Sequence, residues 1–259
     1  MSTFTNPLKQ RLKDPDPLFG LWLSLGGDTA AEALAHAGFD WLLIDMEHSP
    51  NDSVDVTGQL RAIAAAHLPT EPVVRLPASE PWLVKRVLDA GARTLMFPNI
   101  ESAEEAAYAV RLTQYPDGAG EGLRGVAGAV RAAAYGMRRD YVQNANAQIA
   151  TIVQIESARA LENIEEIAAT PGIDCLFIGP ADLAASLGHL GDSKHPDVVA
   201  AIARVGDAAR RAQVATGIFA MDVAGARQYR TEGFRFIALA ADVIWMLRAT
   251  RQALQEVRS

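Results

Sequence analysis

The stretch Trp41-Leu42-Leu43-Ile44-Asp45-Met46-Glu47-His48 joins four apolar residues to a segment that carries two carboxylates and a histidine. Three other short apolar runs also end on polar or charged residues. Their endings are Arg75, Gln154-Ile155-Glu156 and Gly179-Pro180-Ala181-Asp182. Short apolar runs that alternate with helical patterns are typical of buried parallel strands. Because the carboxyl ends of such strands face the side where ligands bind, these endings predict one shared site.

The same alternation continues along the chain without a break in composition. The predicted strands are residues 18–24, 40–44, 72–75, 93–97, 149–155, 174–178, 214–219 and 234–239. The predicted helices are residues 29–37, 53–67, 80–90, 103–113, 158–169, one from 181, 196–212, 223–231 and 243–257. Eight such units in about 250 residues is what a (β/α)8 TIM barrel requires, and a doubly wound sheet would usually carry a glycine-rich phosphate loop. We therefore predict an α/β protein with a single (β/α)8 barrel domain over residues 1–259, of which residues 1–17 form an N-terminal extension.

The composition is that of an acidic globular protein with one cysteine. Of 259 residues, 49% are hydrophobic and 21% charged, and the formal net charge is -7. This charge argues against a nucleic-acid partner, because phosphate contacts require a basic face. Cys175 lies in an apolar run, which favours a small buried strand residue over a catalytic thiol. With neither a signal-peptide core nor an apolar stretch of roughly 18 residues, we expect a cytoplasmic protein that does not contact a membrane.

Residues 115–146 interrupt the alternation of predicted strands and helices. This long stretch is rich in glycine and also carries Arg124 and Arg131. It is either a linker or a loop that closes over an anionic substrate. Because it follows the fourth predicted helix, residues 103–113, it begins on the wrong face of the barrel for the second interpretation. It would then have to fold back or reach a neighbouring subunit to touch a site.

Glu156 and Asp182 follow the fifth and sixth predicted strands, so they lie side by side on the barrel rim. Each has a simpler interpretation as an acidic residue near the start of a helix. Two carboxylates without a neighbouring imidazole or thiolate suit a hard divalent cation such as Mg²⁺ or Mn²⁺. Gln154 shares a strand face with Glu156, because side chains alternate along a strand. The pairing of the two carboxylates favours a metal site.

The turn at Gly179 and Pro180 leads into a helix, and free N–H groups at a helix start bind carboxylates. The Ala181 N–H is therefore placed to hold the carboxylate of a 2-oxo acid that chelates the metal beside Asp182. None of the four lysines of the chain lies at a strand end. A Schiff-base aldolase, which needs a desolvated lysine there, is excluded.

Arg75 ends the third strand, where a guanidinium would stabilise an oxyanion or enolate, although an isolated arginine there is more often a salt-bridge residue. His48 lies three residues beyond Asp45, and a strand-end carboxylate nearby suits a general base that is held in one tautomer. Asp89 precedes Gly91 at the end of a helix. Local rules make Asp89 a surface residue at an unfavourable helix end.

With these residues placed, the chain resembles the metal-dependent class II pyruvate aldolases of the 4-hydroxy-2-oxoheptanedioate (HpcH/HpaI) aldolase family, to which 2-dehydro-3-deoxyglucarate aldolases are related. The resemblance covers residues 18 to 254. It is carried by residues 38–45 with Glu47 and His48, and by residues 72–75, 88–91, 123–126, 153–156 and 177–183. Each segment is weakly specific alone, and together they are highly specific.

The resemblance implies a (β/α)8 barrel that is commonly a homohexamer, with the C-terminal helix exchanged between subunits. It implies Glu156 and Asp182 as ligands of Mg²⁺ or Mn²⁺, with Co²⁺ or Zn²⁺ as alternatives. It also implies that Gln154 and Ala181 hold the pyruvate unit.

For catalysis, the resemblance implies His48 as the base, acting through a metal-bound water, and Arg75 as the enolate stabiliser. Asp89 would raise the basicity of His48. This role agrees with the position of Asp89 at a helix end if Asp89 acts on His48 of a neighbouring subunit. Phe219, at the end of the seventh strand, is either a wall of the acceptor pocket or a core aromatic residue. The sequence departs from the family around Ala134 and Tyr135, where relatives often carry Arg-Trp, and this leaves the acceptor open.

The implied reaction is the reversible cleavage of a 4-hydroxy-2-oxo acid into pyruvate or hydroxypyruvate and an aldehyde, so the partners are small molecules. A metal-dependent 2-oxo acid decarboxylase and a CoA-linked lyase are the alternatives on the same scaffold. CoA would require a basic surface near the site, and the candidates for one are Arg131, Arg138 and Arg139. A degenerate barrel that only binds is disfavoured, because every expected rim residue is present.

Overall fold

The computed structural model describes residues 4–116 and 121–259, so the first three residues of the predicted extension and residues 117–120 of the glycine-rich stretch lie outside the described residues. Eight parallel strands form a closed barrel in sequence order, and the first strand pairs with the last. The strands are β1 (Leu18–Leu23), β2 (Trp41–Asp45), β3 (Glu71–Arg75), β4 (Thr94–Phe97), β5 (Ala150–Ile155), β6 (Cys175–Ile178), β7 (Ala215–Ala220) and β8 (Phe236–Ala241). The predicted (β/α)8 barrel is confirmed.

Helices separate the strands and surround the barrel. They are α1 (Pro7–Arg11), α2 (Asp28–Ala35), α3 (Ser53–Ala65), α4 (Pro81–Asp89), α5 (Ala103–Thr113), α6 (Tyr141–Gln148), α7 (Ala158–Glu162), α8 (Ile164–Ala168), α9 (Pro180–Ser186), α10 (Pro196–Ala212), α11 (Val223–Thr231) and α12 (Asp242–Arg258). In the described part of the chain, none of these helices is both long and apolar enough to cross a membrane.

The structure differs from the predicted helices in two ways. Helices α1 and α6 and a 3-10 turn at Arg131–Gly136 form in segments for which no helix was predicted. The helix predicted at residues 158–169 is broken at Asn163, which has φ −95° and ψ 11°. The backbone N–H of Asn163 still donates to Arg159 O at 3.2 Å, while its side chain donates a hydrogen bond from Nδ2 to Glu101 O at 2.8 Å. This contact is formed with a distant segment and leaves no mark in the local sequence.

The apolar core has two parts, one inside the barrel and one between the strands and the helices. Alternate strand residues point inward and fill the barrel, including Trp41, Phe177 and Phe236. The rings of Trp41 and Phe236 stack with centroids 4.0 Å apart. Leu8 and Leu12 from the α1 region belong to the same inner cluster. The barrel interior is therefore a packed core and not a channel, and α1 packs against its amino-terminal end.

Cys175 lies on β6 inside the barrel. Its side chain is fully buried, and burial raises the pKa of its thiol above the ordinary range. The thiol is therefore protonated at neutral pH and packs as a small apolar group, as its position in an apolar run predicted.

Gly20 on β1 tests how tightly the inner core is packed. An added Cβ would lie 2.0 Å from the Trp41 ring, so we expect Gly20→Ala to lower the free energy of unfolding by about 1 to 3 kcal/mol. Gly206 in α10 is the matched control, since its added Cβ would meet Phe234 at 3.9 Å. Gly206→Ala should raise stability by about 0.5 to 1 kcal/mol, because alanine is the better helix former. Urea unfolding measures both variants, and equal stabilities would contradict this packing.

Candidate active site

One cavity of about 400 Å³ opens at the carboxyl ends of the strands. Most of the residues predicted for the site line this cavity together. They are Asp45, His48, Arg75, Gln154, Gly179, Ala181, Asp182 and Phe219. Glu156 lies against Gly179 at the edge of the cavity, and Asp89 lies elsewhere. The structure therefore brings most of the residues predicted at the strand ends together at one cavity.

Arg75 is held by two carboxylates from the end of β2. The register of β2 and β3 places Asp45 directly beside Arg75. Asp45 accepts hydrogen bonds from Nε at 2.8 Å and from Nη2 at 2.7 Å, a bidentate arrangement. Nη1 pairs with Glu47 Oε2 at 2.8 Å, and the guanidinium lies 5.3 Å from the centroid of the Trp22 ring. Arg75 is thus both a salt-bridge residue and a charged wall of the cavity.

His48 lies on the exposed segment that follows β2 and lines the cavity. The sequence paired His48 with Asp45 as a base held in one tautomer, but the structure gives Asp45 a different partner. Both Asp45 oxygens bind Arg75, and Oδ1 also accepts the Glu47 N–H at 3.0 Å. No hydrogen bond joins Asp45 to His48 among residues 4–116 and 121–259. Asp45 therefore positions the guanidinium of Arg75. The predicted pairing of Asp45 with His48, which would hold the imidazole in one tautomer, is not formed.

Glu156 and Asp182 place carboxylate oxygens around one point next to Gly179. A Cβ on Gly179 would lie 2.9 Å from Glu156 Oε2 and 3.4 Å from Asp182 Oδ2. Glycine therefore keeps the space between the two carboxylates open. The buried Glu156 accepts hydrogen bonds from the Asn99 N–H at 2.8 Å and from Gln154 Nε2 at 3.0 Å. Gln154 Oε1 is buried and, within the described residues, lacks a hydrogen-bond partner.

The carboxylates at this end of the barrel repel one another. Burial is the main cause that raises the pKa of Glu156 to about 7, the Asn99 N–H opposes this rise, and Asp182 and Glu47 add to it. Burial also raises the pKa of Glu47, against the lowering effect of Arg75. A divalent cation beside Glu156 and Asp182 would remove this repulsion. Carboxylate oxygens and an unpaired amide oxygen are a donor set that fits a hard cation.

Glu47 and Asn99 are contacts of the site that the sequence analysis did not assign. Asn99 donates its N–H to Glu156, and its Nδ2 lies 3.5 Å from Glu47 Oε1. It follows β4 by two residues, so the strand-end rule applied to β4 would have found it. Its φ of 54° is left-handed, which asparagine tolerates better than most residues. Glu47 belongs to the segment that follows β2, and spacing alone does not show that its side chain faces Arg75.

Asp89 ends α4, and its partner in this chain is Arg124. Arg124 Nη2 donates to Asp89 Oδ1 at 3.1 Å and to the Tyr141 hydroxyl at 2.9 Å. The buried guanidinium lies 4.3 Å from the centroid of the Tyr115 ring. Because the helices run back from the carboxyl to the amino ends of the strands, the end of α4 lies far from the cavity. The action of Asp89 on His48 across a subunit boundary stays a prediction.

The described part of the glycine-rich stretch folds back against the end of α5. The Arg124 N–H donates to Gln114 O at 2.9 Å, and the Leu123 N–H donates to Arg111 O at 2.8 Å. None of its described residues lines the cavity. In the described residues it therefore forms no lid over the site of its own chain.

Comparison with known proteins gives consistent matches along the chain. The family described as HpcH/HpaI aldolase/citrate lyase matches residues 18–249. The hydroxypyruvate/pyruvate aldolase of Paraburkholderia phytofirmans is 83% identical over 260 residues, which cover 100% of both proteins. The 4-hydroxy-2-oxo-heptane-1,7-dioate aldolase of Shigella sonnei is 43% identical and covers 94% of this chain and 92% of its own. The crystal structure of an HpcH/HpaI aldolase/citrate lyase family protein from Burkholderia cenocepacia is 72% identical with a TM-score of 0.97, over 98% of this chain and 100% of that one.

Arg124 should be a stability residue. We expect Arg124→Met to lower the free energy of unfolding by about 2 to 4 kcal/mol, because Asp89 and the Tyr141 hydroxyl lose a partner and Tyr115 loses a cation–π contact. The exposed Arg139 is the control, and Arg139→Met should stay within about 0.5 kcal/mol of the parent. Denaturant unfolding measures both variants, and similar losses for the two would show that the buried contacts of Arg124 are not needed.

Proposed function

The chain belongs to the HpcH/HpaI aldolase/citrate lyase family, and we propose that it is a divalent-metal-dependent aldolase that reversibly cleaves 4-hydroxy-2-oxo acids into pyruvate or hydroxypyruvate and an aldehyde. One observation carries the proposal. Asp45 and Glu47 pair with the guanidinium of Arg75 at a cavity of small-molecule size, and two further carboxylates, those of Glu156 and Asp182, lie next to Gly179 in the same site. This excess of negative charge suits a cation together with an anionic substrate.

Glu156 and Asp182 would hold the metal, since their oxygens surround the space that Gly179 leaves open. Bound Mg²⁺ or Mn²⁺, and likewise Co²⁺ or Zn²⁺, would supply Lewis acidity to the keto group of the substrate. Gln154 directs its Nε2 at Glu156, which leaves its buried Oε1 free for a ligand. The first N–H groups of α9, including that of Ala181, would bind the substrate carboxylate.

Arg75 would stabilise the negative charge that develops on the substrate oxygen when a C3 proton leaves. Asp45 and Glu47 fix the guanidinium before substrate arrives, so no reorganisation is needed during the reaction. Each η nitrogen carries a second N–H that remains available to the substrate. Asp45 is therefore a positioning residue for Arg75.

His48 would move the C3 proton, because it lines the cavity and is exposed enough to exchange protons with solvent. The acceptor aldehyde would lie against an apolar wall that includes Trp22, Phe219 and Met221. Phe219 packs edge-on against Trp22 with ring centroids 5.2 Å apart. It therefore belongs both to the inner core and to the wall of the cavity. A CoA-linked lyase is less consistent with the site, since Arg131, Arg138 and Arg139 do not line the cavity.

Pyruvate proton exchange tests this function. In D₂O with Mg²⁺, NMR should show exchange of the pyruvate C3 protons that stops with chelator and returns with added Mg²⁺. Glu156→Gln should lower the rate by about 100-fold or more, because it removes a charged ligand. Glu162→Gln, an exposed substitution of the same type on α7, should leave the rate unchanged. Exchange that persists in chelator or in Glu156→Gln would refute the proposal.

His48→Ala separates proton transfer from metal binding in the same assay. The rate should fall by about 100-fold, as expected for loss of a general base, while Mn²⁺ binding measured by electron paramagnetic resonance stays intact. Glu156→Gln should lose both proton exchange and Mn²⁺ binding. Equal loss of Mn²⁺ binding in His48→Ala would assign this residue to the metal instead.

The proposal includes a homo-oligomer in which α12 packs on a neighbouring copy, with a hexamer implied by the family likeness. Asp242 is the one buried residue of this 17-residue helix, and Met246, Leu247, Leu254 and Val257 are exposed. A helix this exposed gains little from its own chain. Beside its start lies an apolar groove lined by residues that include Leu34, Phe39 and Trp245. A cytoplasmic location stays a prediction from the sequence.

A charge placed on the apolar stripe of α12 tests the assembly. Light scattering should give the parent a molar mass that is a multiple of 27.7 kDa. Leu254→Glu should shift it toward one chain, because the buried contact would have to desolvate a carboxylate. Gln252→Glu, on the same helix, should keep the parent mass. A parent that already has the mass of a single chain would refute the exchange of α12.

A further inference from the structure

A second group of metal-binding side chains lies outside the catalytic carboxylates. His189 and His195 flank the loop between α9 and α10, and Asp197 lies in the first turn of α10. One ligand atom from each of the three residues lies within 4.8 Å of the other two. His189 Nε2 is 3.1 Å from Asp197 Oδ2, and His195 Nδ1 is 3.5 Å from the same oxygen.

We infer that His189, His195 and Asp197 form a second metal site that binds a borderline divalent transition ion such as Zn²⁺. Two imidazoles and one carboxylate are typical ligands of Zn²⁺ and disfavour Mg²⁺, which prefers oxygen ligands. The site thus differs in chemistry from the Glu156 and Asp182 pair. Three protein ligands leave a coordination position for water, and the partly exposed side chains give the ion direct access from solvent.

The contacts among these side chains depend on the same atoms that would bind the ion. The imidazoles of His189 and His195 stack with centroids 3.5 Å apart and planes inclined by 14°. His195 Nδ1 accepts the Asp197 N–H at 3.2 Å, a weak capping bond at the start of α10. Parallel rings cannot both aim their lone pairs at one ion, so they must splay when it binds. The positive end of the α10 dipole opposes a cation there, and the Asp197 carboxylate offsets this.

The loop between the two histidines also borders the active-site cavity. Gly191 and Ser193 line that cavity, and Gly191 has a left-handed φ of 83°. A metal ion bound by both His189 and His195 would cross-link the two ends of this loop, so occupancy of the second site would restrict the segment that carries Gly191 and Ser193. The metal would thus hold the loop in place at the mouth of the cavity. This inference does not depend on the reaction proposed above.

Zinc titration of a full-length Glu156→Gln/Asp182→Asn variant tests the site, because that variant lacks the catalytic metal ligands. Calorimetry should show one Zn²⁺ per chain. Adding His189→Gln should weaken the affinity by about tenfold or more, while His36→Gln, an exposed histidine at the end of α2, should leave it unchanged. Circular dichroism checks that each variant is folded. No zinc binding in the parent variant, or equal weakening by both histidine substitutions, would overturn the site.

Amide hydrogen exchange tests the effect on the loop without using activity. In the same Glu156→Gln/Asp182→Asn variant, Zn²⁺ should slow exchange by about tenfold or more at residues 188–195, since a local opening must then break metal bonds. The protection should disappear with His189→Gln and remain with His36→Gln. Zinc binding without protection of the loop would overturn its link to the cavity.

Discussion

The site depends on one ion-pair arrangement at the carboxyl end of the barrel, in which Asp45 and Glu47 hold Arg75. A buried guanidinium costs several kcal/mol unless its charge and its N–H groups are matched, and the two carboxylates supply both. Fixed in this way, Arg75 offsets part of the repulsion among the surrounding carboxylates. The remaining negative charge on Glu156 and Asp182 is what makes this end of the barrel suited to a cation.

The barrel brings these charges together because its strands are parallel and in register. Asp45 pairs with Arg75 across β2 and β3, and Gln154 pairs with Phe177 across β5 and β6. The register of β2 and β3 therefore brings Asp45 directly beside Arg75 at the carboxyl end of the barrel. The interior below is filled by packed aromatic and aliphatic side chains, so the polar residues lie above an apolar floor. Burial of these apolar side chains offsets the free-energy cost of holding charged groups close together, and the charged groups line the cavity.

Asp45 and Arg124 show that membership of a sequence motif does not reveal whether a residue acts on the substrate or stabilises its neighbours. Asp45 lines the cavity, yet both of its carboxylate oxygens accept hydrogen bonds from Arg75, so it orients that side chain. Arg124 belongs to a family motif, yet it lies buried between Tyr115 and Tyr141 and pairs with Asp89. The likeness to aldolases therefore identifies these residues without stating what each one contacts.

The sequence by itself determined the order and number of strands, because short apolar runs that alternate with helical patterns are a local feature of the chain. It also determined the rim residues Glu156, Asp182 and Arg75, since the end of a parallel strand has a defined place in a barrel. Tertiary structure decided the rest: that Asp45 pairs with Arg75 and not with His48, that Asn99 and Glu47 join the site, and that His189, His195 and Asp197 meet. Contacts of this kind depend on distances across strands and loops, and a linear pattern does not contain those distances.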